Sequence, residues 1–113
     1  MEECIFCKIA KGEGKAKIVY QNERVVAFED IAPKAPVHIL IIPKKHIGSI
    51  NEVDNSDVEL LGNLILAAKK IAEDMEVNHS GYRLIFNVGR DSGQAIDHIH
   101  LHLLGGKILG NIE

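Results

Sequence analysis

The stretch His98-Ile99-His100-Leu101-His102-Leu103-Leu104 decides how this chain folds and where its chemistry lies. Its histidines alternate with apolar residues, and a period of two predicts a β-strand with one polar and one apolar face. The three imidazoles are therefore expected on one face, above a core that contains the intervening apolar side chains. Because a sheet face that meets only water ordinarily carries Thr, Lys or Glu, this row of histidines indicates a functional site.

Neighbouring histidines of such a strand stand about 6.8 Å apart, at ~3.4 Å per residue. Two of them can converge on one ion or one phosphate, whereas three on one ion would strain the strand. A zinc hydrolase that uses the triad as ligands is the natural rival to direct chemistry by a histidine. The sequence beside the triad lacks the carboxylate-rich ligand set that such hydrolases usually need.

Composition limits the kind of protein. The chain has 113 residues, 46% of them hydrophobic, with 13 basic and 16 acidic side chains, which predicts one globular domain spanning residues 1–113. No basic patch suited to a nucleic acid polymer is present. The first residues are acidic where a signal peptide would be basic, and no apolar run approaches the ~20 residues of a membrane span. We expect a cytoplasmic protein with no membrane partner.

β-Branched and aromatic runs predict four strands besides the histidine strand at 98–104, namely 18–20, 25–28, 37–42 and 82–88. The run 37–42 is apolar on both faces apart from His38, so it is predicted to be a central strand that ends at Pro43. The loop 89–94 carries Gly93, whose backbone N–H can approach an anion; a loop that merely closes a hairpin explains it equally well.

One long helix is predicted from Ser56 to Met75. Ser56 and Glu59 have the spacing of a capping box, in which each side chain bonds the backbone N–H of the other residue. Two apolar stripes follow side by side: Val58, Leu61, Ile65, Ala68, Ala72 and Met75, and then Leu60, Leu64, Ala67 and Ile71. One layer of sheet covers one stripe, so the second predicts a homodimer interface, although a helix sunk deeply into its own core accounts for it as well.

Cys4 and Cys7 have the spacing of a zinc site, which would need two further ligands from elsewhere in the chain. A thioredoxin-type redox pair follows a buried strand, and residues 1–3 are too few to form one. A free, unligated pair is the remaining alternative. His38, isolated in an apolar strand, is by pattern alone most often a hydrogen-bonded core residue.

These segments together resemble the histidine triad (HIT) family. The triad itself carries the family signature, and Gly105-Gly106 after it is similar to the Hint-like nucleoside phosphoramidase branch. Similar segments occur in the same order at Cys4–Ile9, Ala27–Ile31, Ala35–His38, Ile42–Ile47 and Asn87–Gly89.

The resemblance implies an α+β fold of HIT type: a five-stranded antiparallel sheet with one long and one short helix, usually as a homodimer. It also implies a hydrolase or nucleotidyl transferase that binds a purine nucleoside monophosphate or its derivatives, such as adenosine 5′-phosphoramidates. Such an enzyme cleaves at the α-phosphate through a nucleotidyl-histidine intermediate.

Site residues follow from the same resemblance. The catalytic set would be His100 as the nucleophile, with His102 and His38 on the phosphoryl oxygens. The nucleotide would be bound by Phe6, Ile9, Phe28, Asp30, Ile31, Asn87, Gly93, Gln94 and Ala95. A structural zinc ion would be held by Cys4, Cys7, His46 and His98.

The chain departs from the branch at Ala95, where the branch has Ser shortly before the triad. The change keeps a backbone N–H but removes a hydroxyl near the leaving group, which bears on proton donation to an amine. Two alternatives to the phosphoramidase therefore stand beside the zinc hydrolase. They are a regulatory nucleotide-binding protein with little catalysis and a dinucleoside polyphosphate hydrolase.

Overall fold

A computed structural model describes residues 4–111. Its helices and strands, in chain order, are α1 (Ile5–Ala10), β1 (Ile18–Gln21), β2 (Val25–Glu29), β3 (Val37–Pro43), α2 (Val58–Asp74), β4 (Tyr82–Phe86) and β5 (Leu101–Gly105). The α+β class, with a short and a long helix, is the one predicted. Short 3₁₀ turns occur at Ile50–Glu52, Asn55–Asp57 and Arg90–Ser92. No helix within residues 4–111 is both long and apolar enough to cross a bilayer.

The five strands form one antiparallel sheet in the order β1-β2-β3-β5-β4. The predicted central position of β3 is confirmed. Pairing with β5 sets His38 opposite Leu104 and Leu40 opposite His102. Directly paired residues point to the same face of a sheet, so this register brings a histidine of β3 to the face that carries His102.

Apolar side chains cover both faces of the sheet. On the α2 face, Ile39 and Ile41 of β3 pack with Ile99, Leu101 and Leu103, which confirms the predicted apolar side of the histidine strand. The opposite face packs against α1 through a second cluster: Phe6, Ile9, Val26, Phe28, Leu40 and Ile42. The histidines therefore lie between the sheet and the short N-terminal helix.

The α2 helix begins later than predicted. Val58 is its first residue, and the carboxylates of Asp54 and Asp57 form a capping box around the 3₁₀ turn Asn55–Asp57 that leads into it. The predicted pair of Ser56 and Glu59 is wrong, because the Ser56 N–H donates to Asp54 and the Glu59 carboxylate instead faces Arg24 at 3.5 Å. Asp is as good a capping residue as Ser, and here it comes one 3₁₀ turn earlier.

The wide apolar face of α2 is partly buried in the chain's own core and partly exposed. The stripe of Leu60, Leu64, Ala67 and Ile71 is buried in the core of the chain. The other stripe divides, since Ala68 and Ala72 are buried whereas Val58 and Ile65 are 63% and 45% exposed, beside Leu66 at 64%.

The last two strands are shorter than predicted. β4 ends at Phe86 instead of Val88, and β5 begins only at Leu101, so residues 98–100 precede the hydrogen-bonded ladder. This lead-in is held by other bonds: the Ile99 N–H donates to the carbonyl of Ile47 at 2.8 Å. This lead-in lies beside α1, where the His98 ring makes an edge contact with Phe6 at 5.9 Å between ring centroids.

Candidate functional site

The site is a cavity of about 710 Å³ between α1 and the sheet, within the usual size range of small-molecule pockets. Most of the predicted catalytic and nucleotide-binding residues line it: Phe6, Ile9, Phe28, Asp30, Ile31, Asn87, Gly93, Ala95, His100 and His102. The cavity is apolar at one end and polar at the other, which suits a ligand with an aromatic group and a charged group.

Phe6 shapes the apolar end. Helix α1 directs this buried ring at the sheet, where it makes edge contacts with Phe28 at 5.5 Å and with His100 at 5.2 Å between ring centroids. Ile31 lies at the mouth and is 96% exposed. The aromatic and aliphatic walls can take up the face of a planar base.

His100 lies where the two ends of the cavity meet. Its Nδ1 lies 2.8 Å from the carbonyl oxygen of His98. A carbonyl only accepts, so Nδ1 carries the proton and donates it, and in neutral His100 the remaining nitrogen Nε2 has a free lone pair. The ring is 9% exposed and is held rigidly for use on a ligand in the cavity.

His102 and His38 form the polar end with Asp30. The His38 Nε2 lies 3.0 Å from the His102 Nδ1 and 3.4 Å from the Asp30 carboxylate. Burial, followed by the charges of His100 and His38, lowers the pKa of His102 to about 4. Burial also lowers the pKa of His38, against the opposing effect of Asp30. Both rings are therefore neutral near pH 7.

At the other end of the histidine row, four side chains converge that can hold a metal ion: Cys4, Cys7, His46 and His98. Their ligand atoms approach closely. The two Nδ1 atoms are 3.2 Å apart, and the four S···N distances run from 3.2 to 3.6 Å. A zinc tetrahedron has N···N edges of about 3.4 Å and N···S edges of about 3.6 Å, so this donor set fits zinc.

The surroundings of the cluster favour a cation. His98 is fully buried, and its Nε2 donates to the Pro43 carbonyl at 2.8 Å, which leaves Nδ1 as a ligand. Burial, followed by a hydrogen bond from Cys4, raises the pKa of the Cys7 thiol. Two adjacent thiolates repel one another, and a cation between them removes that repulsion.

A second group with metal-ligating side chains consists of Asp30, His38 and His102. Here the backbone N–H of Lys34 donates to the His38 Nδ1 at 3.0 Å. A neutral His38 must then carry its proton on Nε2, the atom that would have to bind the ion. This group is thus unsuited to a metal, and the triad as a common ligand set, the zinc-hydrolase interpretation, has no support in the geometry.

Two predicted site residues do not line the cavity. His38 lies behind two residues that do, with its Nε2 3.0 Å from the His102 Nδ1 and 3.4 Å from the Asp30 carboxylate. The Gln94 amide accepts from the Gly89 N–H at 2.8 Å and donates to the Gly48 and Ile96 carbonyls at 2.8 and 3.0 Å. Its side chain therefore closes the loop 89–96 on itself, ties that loop to Gly48 and keeps the loop that carries Gly93 in place.

Other wall residues were not anticipated from the sequence, above all Leu40, Ile96 and Lys15. Leu40 could have been found, because it lies two residues from His38 and so shares its face of β3. Ile96 and Lys15 belong to loops, where no periodicity indicates the direction of a side chain.

Comparison with known proteins identifies the family of the chain. Residues 3–112 match a family model described as the C-terminal binding region of the scavenger mRNA decapping enzyme. A purine nucleoside phosphoramidase of Escherichia coli K12 is 50% identical over 109 residues, covering 96% of this chain and 92% of that one.

Solved structures lead to the same conclusion. A HIT family hydrolase from Legionella pneumophila is 52% identical with a TM-score of 0.94, covering 96% of each chain. A histidine triad protein from Clostridium difficile is 43% identical with a TM-score of 0.95, and the two chains cover each other fully. The chain belongs to the histidine triad family.

Proposed function

We propose that this protein is a purine nucleoside phosphoramidase that cleaves at the α-phosphate of nucleoside monophosphate derivatives through a nucleotidyl-histidine intermediate. The E. coli relative at 50% identity carries that name, and the HIT assignment supports a hydrolase. The active unit is residues 1–113 as one domain, of which 1–3 and 112–113 lie outside the described residues.

The observation that carries the proposal is the 2.8 Å hydrogen bond from the His100 Nδ1 to the His98 carbonyl. It leaves the lone pair of Nε2 available in a cavity large enough for a nucleotide. A neutral imidazole whose other nitrogen donates to a fixed acceptor is a competent nucleophile toward phosphorus.

In the first step the His100 Nε2 attacks the α-phosphorus, and the bond from phosphorus to the leaving amine breaks. The amine departs with a proton that it takes from solvent, because an amide anion is too basic to leave. Water then attacks phosphorus and gives up a proton to solvent, the bond to His100 breaks with its electron pair returning to Nε2, and the monophosphate is released. Ala95 lacks a hydroxyl that could donate the first proton.

The other cavity residues have supporting roles in this scheme. Phe6, Ile9, Phe28 and Ile31 hold the base and sugar, and Asp30 accepts from the ribose hydroxyls. His102, Asn87 and the Gly93 backbone bind the phosphoryl oxygens and stabilise the charge that develops there. Ala95 contributes its backbone N–H to the same end of the cavity.

A structural zinc ion at Cys4, Cys7, His46 and His98 completes the proposal. Zinc bound by four protein ligands leaves no open position for substrate, so its contribution is to stability. It would tie α1, and with it Phe6, to the segments that carry His46 and His98. Elemental analysis should find about one zinc per chain, and a Cys4→Ser variant should lose it.

Intact-mass spectrometry of the protein mixed with adenosine 5′-phosphoramidate tests the function. A transient nucleotidyl adduct should appear in the native chain and be absent from His100→Ala, which should still bind adenosine monophosphate. Binding without turnover or adduct would instead identify a regulatory nucleotide-binding protein. Activity only toward dinucleoside polyphosphates would identify the other hydrolase class.

The proposed assembly is a homodimer that covers the exposed apolar residues of α2. Val58, Ile65 and Leu66 are 45–64% exposed, and a second copy of the helix can bury them. Sedimentation at micromolar concentration should give a dimer, and Ile65→Asp should give a monomer. A matched change at the exposed Asp74, which lies on the opposite side of the same helix from Ile65, should leave the dimer intact. A native chain that sediments as a ~12 kDa species would contradict the assembly.

A further inference from the structure

His38 and His102 form a hydrogen-bonded pair that has two internally consistent arrangements. With an N···N distance of 3.0 Å between the His38 Nε2 and the His102 Nδ1, one nitrogen donates and the other accepts. If His38 donates, the proton of neutral His102 is on Nε2. If His102 donates, its Nε2 carries a lone pair instead.

The two arrangements have opposite consequences in the cavity. The Nδ1 of His102 is committed to His38, so Nε2 is the nitrogen that His102 offers to a cavity ligand. A protonated Nε2 donates to a phosphoryl oxygen, whereas a lone pair there repels it.

Two groups beside the His38 ring select one arrangement. The Lys34 backbone N–H donates to the His38 Nδ1 at 3.0 Å, which requires a lone pair on Nδ1. The Asp30 carboxylate lies 3.4 Å from the His38 Nε2, where a proton is favoured and a second lone pair would be repelled. Both groups place the proton of His38 on Nε2, although they lie on opposite sides of the ring.

We propose that His38 is a positioning residue that acts through His102 and makes no contact with the phosphate itself. Lys34 and Asp30 orient the proton of His38 toward His102, and His102 in turn presents an N–H to the substrate. The inference rests on the proposed function for its role in turnover, but the arrangement of protons is a property of the free protein.

Nitrogen-15 NMR of the full chain, labelled at histidine and free of nucleotide, tests this arrangement near pH 7.5. Nδ1 should be unprotonated and Nε2 protonated in both His38 and His102. About nine-tenths or more of His102 should be in this form, since one net hydrogen bond shifts a tautomer ratio about tenfold. A His102 that is mainly protonated on Nδ1 would overturn the proposal.

Lys34 allows a matched pair of variants, because its side chain is exposed and the hydrogen bond to His38 uses only its backbone N–H. Lys34→Pro removes that N–H, and the Nδ1-protonated fraction of His102 should rise about tenfold. Lys34→Ala retains the N–H and should match the native spectrum. An unchanged His102 in a folded Lys34→Pro variant would refute the proposal, and if that variant does not fold, the native spectrum decides.

A double-mutant cycle shows whether His38 acts through His102. His38→Ala should weaken adenosine monophosphate binding about tenfold in the native background and less than twofold in a His102→Ala background. Equal losses of affinity in both backgrounds would mean that His38 contacts the phosphate directly. No loss in the native background would mean that His38 has no role in nucleotide binding. Absence of nucleotide binding in the native protein would defeat the proposed function, whereas the spectrum would still decide the proton arrangement.

Discussion

The two ends of the histidine row differ in what they can bind, although both present buried imidazoles. At the Cys4 end, the His98 Nε2 donates to the Pro43 carbonyl, and the lone pair of Nδ1 faces two thiols and another histidine. At the Asp30 end, His38 accepts a backbone N–H on one nitrogen, so its other nitrogen carries a proton toward His102. The first end suits a cation and the second an anion.

The difference shows that the backbone group behind each ring selects the chemistry in front of it. A carbonyl behind an imidazole leaves a lone pair on the opposite nitrogen, and an N–H behind it leaves a proton there. His100 follows the same rule, since the carbonyl of His98 leaves its Nε2 with a lone pair. Histidines of one sequence motif thus acquire different roles without any change of residue type.

The largest effect is expected from a substitution that removes a ligand of the metal end and leaves the phosphate end unchanged. His98→Ala should release the zinc and lower the free energy of unfolding by about 3 kcal/mol or more, because one of four structural ligands is lost and the N-terminal helix is no longer tied to the sheet. Thermal unfolding with elemental analysis measures both. His102→Ala is the matched control and should keep its zinc. Equal zinc loss in both variants would contradict the assignment of the metal to the Cys4 end and of the phosphate to the Asp30 end.

The next largest effect is expected from a substitution at the phosphate end that leaves the metal ligands unchanged. His102→Ala should lower turnover of adenosine phosphoramidate about 10²-fold, because one preorganised donor to the phosphoryl oxygens is removed. Steady-state kinetics measure the loss, and the zinc content should stay at the native value. A change below threefold would mean that this end does not stabilise the reacting phosphate.

A fall in pH should lower the free energy of unfolding through His102, which belongs to the phosphate end. The pKa of His102 is lowered to about 4, below the ~6.5 of an unfolded histidine, so the unfolded state takes up protons that the folded state refuses. The contribution is fully present above about pH 6.5 and is lost as pH falls toward 4. After solvent screening of this partly exposed ring it amounts to roughly 1–2 kcal/mol. Denaturant unfolding between pH 7 and pH 4.5 measures it.

A His102→Gln variant is the control for the pH dependence, since it lacks the titrating ring but retains the metal cluster. Its stability should fall less steeply than that of the native chain over the same range. Parallel curves would assign the whole pH dependence to other groups, including the zinc ligands.

The smallest expected effect concerns the leaving group at the phosphate end. Ala95→Ser restores a hydroxyl at the cavity wall and should raise phosphoramidate turnover by up to about tenfold. Substrates whose leaving group needs no proton should gain less, and Ala95→Gly, which adds no hydroxyl, should gain nothing. An equal gain for both substrate types would show that the hydroxyl does not assist proton transfer.

Residue pattern predicted much of the fold. The period of two at 98–104 was enough to separate the histidines from Ile99, Leu101 and Leu103, and the unbroken apolar run identified β3 as the central strand. The start of α2 was less predictable, because the pattern of Ser56 and Glu59 indicates a capped helix where the structure has a 3₁₀ turn capped by Asp54 and Asp57. Only the path of the chain into the core decides between them.

The sequence by itself determined which residues are chemically capable: the alternating histidines, the paired cysteines and the apolar walls. Only the tertiary structure decided what each histidine does, because that depends on backbone groups distant in sequence, such as the Pro43 carbonyl 55 residues from His98. It also decided that the Gln94 amide bonds to the backbone of its own loop and of Gly48 and does not line the cavity. Side-chain pattern encodes which face is buried, whereas the direction of a hydrogen bond is fixed only when two segments meet.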